Sequence, residues 1–428
     1  MEHQSGRLAL KIGLYSPFFG STVGGGEKYL GVTAEAIRDA FPRHRVEIVS
    51  PVPVDPERYR RMLGIDLDGI GLRTGRLPGA GLGRRIRRLP LVRRYADLVL
   101  SARAVAWTRG YDLFLSMVYV VPTFSLARRG VILCQFPYQL GGVAPRWQGL
   151  PGLLYRAYLA PYRLLRRRLL GSEVDAFQLV ICQSEYVRSW VRRYWERDSE
   201  VVNPPIDVPA AEPDFPAKEP IVLSVGRFFA SGHSKRHDLM VETFRRLWDG
   251  GLRGWELHLV GSVHRDDPAD LRYFDEVRRR AEGYPVHIHA DAPLETLLDL
   301  YRRASIYWHA AGYGVDAERR PIDLEHFGMT TAEAMAHGVV PVAIARGGQV
   351  EVVQEGVDGF LWEEPGQLAE HTLTLIADGE LRRRMGEAAR RSSFRFSRET
   401  FKRRMATILR PLVEELEREL GSAAVDER

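Results

Sequence analysis

Lysine is nearly missing from this 428-residue chain, which holds five lysines among 61 basic residues. Arginine therefore carries most of the positive charge, and it does so as a planar fork that pairs with phosphate and carboxylate. Cysteine is scarcer still. Cys134 and Cys182 are the only two, each inside an apolar run, which excludes a disulfide-stapled scaffold and leaves two buried free thiols as the expectation. No window of eighteen consecutive apolar residues occurs, so no membrane-spanning helix is expected. The first residues lack the apolar core of a signal peptide, and a cytoplasmic location is the corresponding expectation. Acids are absent where they would matter most. Residues 71–170 contain 18 arginines, no lysine, and only Asp97 and Asp112 on the acidic side.

That gap sits within a wider asymmetry. Residues 1–220 hold 32 Lys+Arg against 21 Asp+Glu, whereas the remainder holds 29 against 34. Two clusters stand out, Arg84-Arg85-Ile86-Arg87-Arg88 with Arg93-Arg94, and Arg163 with Arg166-Arg167-Arg168. Both interleave arginine with aliphatic residues, as a basic element lying on an anionic membrane does. The plainer reading is a set of solvated helix faces in an arginine-rich protein. Nucleic-acid binding is the rival from another class, but the clusters lack the regular aromatics of a base-stacking platform.

What is present is an alternation of strand-like and helical patterns, the mark of parallel sheets covered by helices. In the first half, strands are expected at 8–14, 46–49, 113–117, 131–133 and 179–181, with helices after Gly26, over 150–170 and over 184–195. Residues 50–110 read as an irregular insertion. Residues 203–220 contain six prolines and no periodicity, which makes them the natural linker. The second half repeats the alternation, with strands at 221–225, 256–260, 286–289, 306–309 and 339–343. Domain boundaries of 1–204, 205–220, 221–395 and 396–428 follow.

The most specific segment runs from Glu325 to Gly338, Glu-His-Phe-Gly-Met-Thr-Thr-Ala-Glu-Ala-Met-Ala-His-Gly. Gly328 permits a tight turn into a short helix whose first N–H groups suit an anion, above all a phosphate. Glu325 and Glu333 would repel a bare phosphate and more readily accept hydrogen bonds from hydroxyls. A ligand with phosphates in the middle and hydroxyls at both ends is a nucleotide sugar. Taken alone, the two carboxylates favour the reading of an ordinary solvated helix start with an acidic first turn. Upstream, Arg227 follows a strand and Lys235 starts the next helix, and the pair could neutralise a departing diphosphate. They could also be a strand cap and a solvated helix start. No cluster of His, Cys and Asp shows metal-ligand spacing along the chain, so no metal is expected.

The Glu325–Glu333 stretch resembles the Glu-x7-Glu motif of the retaining glycosyltransferases of family 4. Gly24-Gly25-Gly26-Glu27-Lys28-Tyr29, Cys134 to Tyr138, Val201 to Asp207, and Gly226-Arg227 with Lys235-Arg236 fit the same family in the same order. Among its members, the pattern is most similar to mannosyltransferases that extend lipid-linked oligosaccharides and to their bacterial relatives. The resemblance implies the GT-B fold, two Rossmann-like α/β domains facing a cleft with a C-terminal helix crossing back to the first. It implies a hexosyltransferase that uses a GDP- or UDP-sugar, needs no cofactor or metal, and glycosylates a glycan or polyprenyl-linked acceptor, with peripheral contact on the inner membrane face. It assigns Glu325, Arg227 and Lys235 to the reacting centre. Glu333 falls to the donor ribose, and Phe327, Gly328, Met329 and Thr330 offer backbone amides. Gly25 and Gly26 stand for close backbone approach, and His289 to Leu294 flank the base. Gly347-Gly348-Gln349 and Glu351 match a further element, or form a glycine turn with an acidic helix start. Where the family has a histidine, this chain has Gln135, which cannot serve as a general base. A sugar-nucleotide epimerase or hydrolase of the same fold is the rival within the family.

Overall fold

The computed structural model describes residues 9–75, 105–120, 123–139, 174–209 and 217–426, apart from Ser231 and His233, with a few further positions between 157 and 165. Both arginine clusters and the helix expected over 150–170 lie outside the described residues. The chain divides into two compact units. The first comprises residues 1–183, 187–202 and 401–428, and the second comprises 184–186 and 203–400.

In the first unit β1 (Lys11–Tyr15), α1 (Gly25–Ala40), β2 (Arg45–Ser50), α2 (Pro56–Leu63) and β3 (Gly71–Thr74) lead to β4 (Leu113–Tyr119), β5 (Arg129–Phe136) and β6 (Leu179–Cys182). Helix α3 (Glu185–Trp195) precedes β7 (Glu200–Val201). All described pairings are parallel, and the sheet order is β3-β2-β1-β4-β5-β6-β7. The expected irregular insertion at 50–110 thus contains a helix and an edge strand. Helix α2 obeys ordinary capping chemistry: the Asp55 side chain accepts two backbone N–H groups, Pro56 opens the helix, and left-handed Gly64 closes it. Cys134 and Cys182 are register neighbours on β5 and β6, both buried and free.

The first unit's core is completed from the far end of the chain. Helix α11 (Arg398–Asp426) places Phe401, Met405, Leu409, Val413 and Leu416 in the cluster that also holds Leu30, Ile37 and Val46. This i, i+4 spacing is one face of a helix, and each such side chain contributes about 1.5–3 kcal/mol on burial. Lys402 pairs with Glu35 at 2.7 Å and with Asp39 at 3.0 Å, and Arg129 reaches Glu415 at 2.8 Å.

The second unit contains β8 (Glu219–Val225), α4 (His237–Asp249), β9 (Glu256–Gly261), α5 (Pro268–Ala281), β10 (Val286–Ala290), α6 (Leu294–Arg303) and β11 (Ala304–His309). It continues through α7 (Met329–Ala336), β12 (Val340–Ile344), α8 (Gln349–Val352), β13 (Phe360–Trp362), α9 (Pro365–Ala377) and α10 (Gly379–Ser393). Its parallel sheet has the order β10-β9-β8-β11-β12-β13. The chain winds outward from β8 to β10, returns to β11, and winds the other way. The winding reverses between β8 and β11, whose carboxyl ends are the usual ligand position in such sheets. Lys218, on the opposite side of β8 in sequence, donates to the carbonyls of Tyr301, Arg302 and His337 at 3.2, 2.8 and 2.7 Å, tying the ends of α6 and α7 together. Residues 203–209, read as linker, join this unit; Ile206 is buried beside Phe327 and Phe396. No helix among the described residues is long and apolar enough to cross a membrane.

Candidate functional site

The switch point gathers ionisable side chains from three segments. Strand β11 ends in His309, which is buried. Its Nε2 lies 3.2 Å from Oε2 of Glu325, and Lys235 Nζ donates to the same oxygen. Lys235 reaches that position across the backbone of Gly226, where a Cβ would stand 2.4 Å from Lys235 Cγ. Glycine is needed there for close approach. Helix α4 begins at His237 after a left-handed Arg236, so Lys235 is a loop residue and not the helix start expected of it.

Burial alone would raise the Glu325 carboxyl, but the Lys235 charge and the His309 hydrogen bond hold it well below the usual carboxylate range. Burial pushes the His309 imidazole below its ordinary value despite the Glu325 contact. The arrangement is therefore a carboxylate, an ammonium and a neutral imidazole donating through Nε2. Nδ1 of His309 and Oε1 of Gln349 are buried without a partner among the described residues.

Gly328 begins α7 with φ 107° and ψ 56°, and no side chain caps the first turn. Those uncapped amides, of Met329 and Thr330 among others, carry the partial positive charge of a helix start. Thr330 Oγ1 accepts from the Tyr307 hydroxyl at 2.8 Å, and Tyr301 donates to Glu333 Oε2 at 3.3 Å. Tyr301 and Tyr307 thus brace the helix start and Glu333. The sequence reading missed both because they sit among apolar residues of α6 and β11, where aromatic rings read as core. Phe327 is buried against Phe396, with ring centroids 5.0 Å apart, so its side chain is structural and only its backbone faces the turn. The Gly348 N–H donates to the Glu325 carbonyl at 2.8 Å, and Gly347-Gly348 thereby supports the acidic turn.

Arg227, two residues past the end of β8, is exposed, its guanidinium 5.6 Å from the Phe229 ring and without a hydrogen bond to any described residue. Of the remaining expected residues, His289 meets His258 at 3.0 Å on β9, and Leu294 is the exposed first residue of α6. Gly25 and Gly26 open α1 in the first unit, where a Cβ on Gly26 would stand 2.4 Å from Gln135 Nε2. His326 is held structurally, its Nε2 3.0 Å from the Ile322 carbonyl. Glu351 accepts the backbone N–H groups of Glu185 and Tyr186 at 2.7 Å each. One Asp-x-Asp sequence, Asp66-Leu67-Asp68, does occur; it lies in the first unit with its carboxylates on Arg38 and Arg60.

Two doubly wound parallel sheets with a returning C-terminal helix define the GT-B class. Anabaena HepE, solved in complex with UDP and glucose, matches with a TM-score of 0.61 at 17% identity, over 94% of this chain and 100% of that one. Residues 209–392 match the family model for glycosyl transferases group 1. A GDP-Man:Man(3)GlcNAc(2)-PP-Dol alpha-1,2-mannosyltransferase of Dictyostelium discoideum is 26% identical over 58% of this chain and 50% of its own length. A trehalose synthase of Pyrococcus horikoshii is 26% identical over 48% of this chain and 51% of its own. The chain thus spans about half the length of these curated relatives.

Proposed function

We propose that the chain transfers a hexose, mannose or glucose, from a GDP- or UDP-sugar to a hydroxyl of a glycan or lipid-linked acceptor, with retention and without a metal. The observation that carries this reading is the partly buried Glu325 carboxylate held by Lys235 and His309 beside the start of α7. In the reaction the bond from the sugar's anomeric carbon to the diphosphate breaks and a bond to the acceptor oxygen forms. The acceptor proton leaves with the departing phosphate oxygen. Arg227, Lys235 and the amides of α7 answer the charge that develops on the diphosphate. Glu325 accepts hydroxyls of the sugar in transit, and Glu333, steadied by Tyr301, accepts the ribose hydroxyls. The mannosyltransferase and trehalose synthase relatives support hexosyl transfer. Arginine-rich residues 71–170 support an acceptor at an anionic membrane surface on the cytoplasmic side.

A thermal-shift panel of UDP, GDP and ADP with their sugars, followed by product analysis with lipid-linked and free glycans, tests the proposal. One diphosphate series raises the melting temperature, and nucleotide release depends on added acceptor. Acceptor-independent release would point to a hydrolase or epimerase, and no response to any nucleotide would end the reading.

A further inference from the structure

Strands β9 and β10 carry a second constellation that glycosyl transfer does not use. They pair in parallel with His258 opposite His287. Residues two apart on a strand share a face, so Glu256 and His258 of β9 meet His287 and His289 of β10 on one side of the sheet. Oε2 of Glu256 lies 3.1 Å from His258 Nε2 and 3.4 Å from His287 Nε2. One ligand atom from each of the three residues falls within 4.8 Å of the other two. We propose that Glu256, His258 and His287 form a binding site for a divalent transition-metal ion of the zinc type.

The separations suit the ion. Four donors placed tetrahedrally at zinc's usual bond lengths stand about 3.3 Å apart, close to the two carboxylate-imidazole distances. Two imidazoles and a carboxylate form a borderline donor set that favours zinc, cobalt and nickel over calcium or magnesium. A supporting hydrogen bond is also in place. His258 Nδ1 lies 3.0 Å from His289 Nε2. With His258 Nε2 on the ion, Nδ1 must carry the proton and donate to His289, as ligating histidines usually donate through their other nitrogen. The side chain of His258 is 9% exposed, whereas Glu256 and His287 are half-exposed, which gives an entry path and leaves the fourth position to water.

The role is structural. Strand β10 is the outer strand of its sheet, and the ion would staple it to β9 from the amino-terminal half of both strands. The group of Glu325, Lys235 and His309 lies at the carboxyl end of β11. A competing cluster, His264 with Asp267 and Asp270, is less suited because its carboxylates are engaged. Asp267 caps α5 through the Ala269 N–H at 2.8 Å, and Asp270 accepts the Ala230 N–H at 2.9 Å.

The test is titration of the chelator-treated full chain with Co²⁺, read by its visible d–d absorption, followed by displacement with Zn²⁺. One ion per chain is expected, with Zn²⁺ raising the melting temperature. His287→Ala and Glu256→Gln, at half-exposed positions that tolerate substitution, lose the absorption while keeping the wild-type circular dichroism. His289→Phe keeps the spectrum and binds about 10–100-fold more weakly. His264→Ala binds as the wild type does. Absence of saturable binding overturns the assignment. So does unchanged binding by His287→Ala and Glu256→Gln, or loss of the ion in His264→Ala.

Discussion

His309 Nε2 and Lys235 Nζ meet the same oxygen of Glu325, Oε2, so that among the described residues Oε1 has no hydrogen-bond partner. One edge of the carboxylate is fixed and the other is left for a ligand hydroxyl. His309→Leu removes one of the two restraints. It should lower kcat about tenfold to a hundredfold while leaving the donor KM within about threefold, because the interaction orients a group rather than binding substrate. The His309 hydrogen bond helps depress the Glu325 carboxyl, so its loss raises that pKa and moves the acid limb of the kcat–pH profile upward. A profile superimposable on wild type would remove His309 from the mechanism.

Glu325→Gln keeps the shape and loses the charge. Nucleoside diphosphate binding by calorimetry should persist, and sugar transfer should fall by at least about a hundredfold. Wild-type turnover by this variant would remove the role given to Glu325.

Arg227→Ala with Lys235→Ala tests the cations. A nucleoside diphosphate at a hundred times its Kd stabilises the wild type by about 2.7 kcal/mol through mass action. The double variant should show no thermal shift at that concentration. Circular dichroism checks that the fold survives, and a full shift in the double variant would relocate the phosphate site.

Gly328→Ala places a Cβ 1.9 Å from Gln349 Nε2 at a residue with φ 107°. The backbone conformation alone costs about 1–2 kcal/mol for an L-residue, and displacing buried Gln349 adds to it. Adding Gln349→Ala should recover the steric part and leave the backbone part. Urea unfolding of the wild type, the two variants and Gln349→Ala alone separates the two contributions.

Lys218 offers a pH signature. Burial, with Arg390 as the lesser cause, pushes its ammonium down to about 7, against roughly 10.4 in an unfolded chain. Between those values the unfolded chain binds the extra proton, so this residue's contribution to stability grows as pH rises and shrinks as pH falls toward 7. The stability of wild type relative to Lys218→Met should therefore climb by about 1 kcal/mol per pH unit between pH 7.5 and 9.5. A constant difference across that range would mean that the amine stays charged in the fold.

The two-sheet architecture was legible because buried parallel strands such as Val131 to Leu133 and Ile221 to Val225 are short apolar runs between helical patterns. Helix α2 and strand β3 were hidden by the Gly, Pro and Arg content of their surroundings, although Asp55, Pro56 and Gly64 marked the ends of α2. Glu325, Glu333 and Lys235 could be picked out by order and spacing. The partnership of Lys235 with Glu325 could not, because the residues are 90 positions apart and meet only when β8 and β11 pair. The Glu256–His258–His287 group was invisible for the same reason. A Glu-x-His and a His-x-His acquire ligand spacing only once His258 is opposite His287.

The chain leaves the first unit at Val202 and re-enters it at Phe401, which makes the second unit an insertion within the first. On the ribosome, residues 203–400 are all available before the segment that supplies Met405, Leu409 and Val413 to the first unit's core emerges. Vectorial synthesis thus lets the later-encoded unit mature first. The sheet of the first unit waits for the helix that follows the second unit. A nascent chain arrested before residue 401 would carry an unsealed apolar surface on its amino-terminal half, the natural ground for chaperone capture.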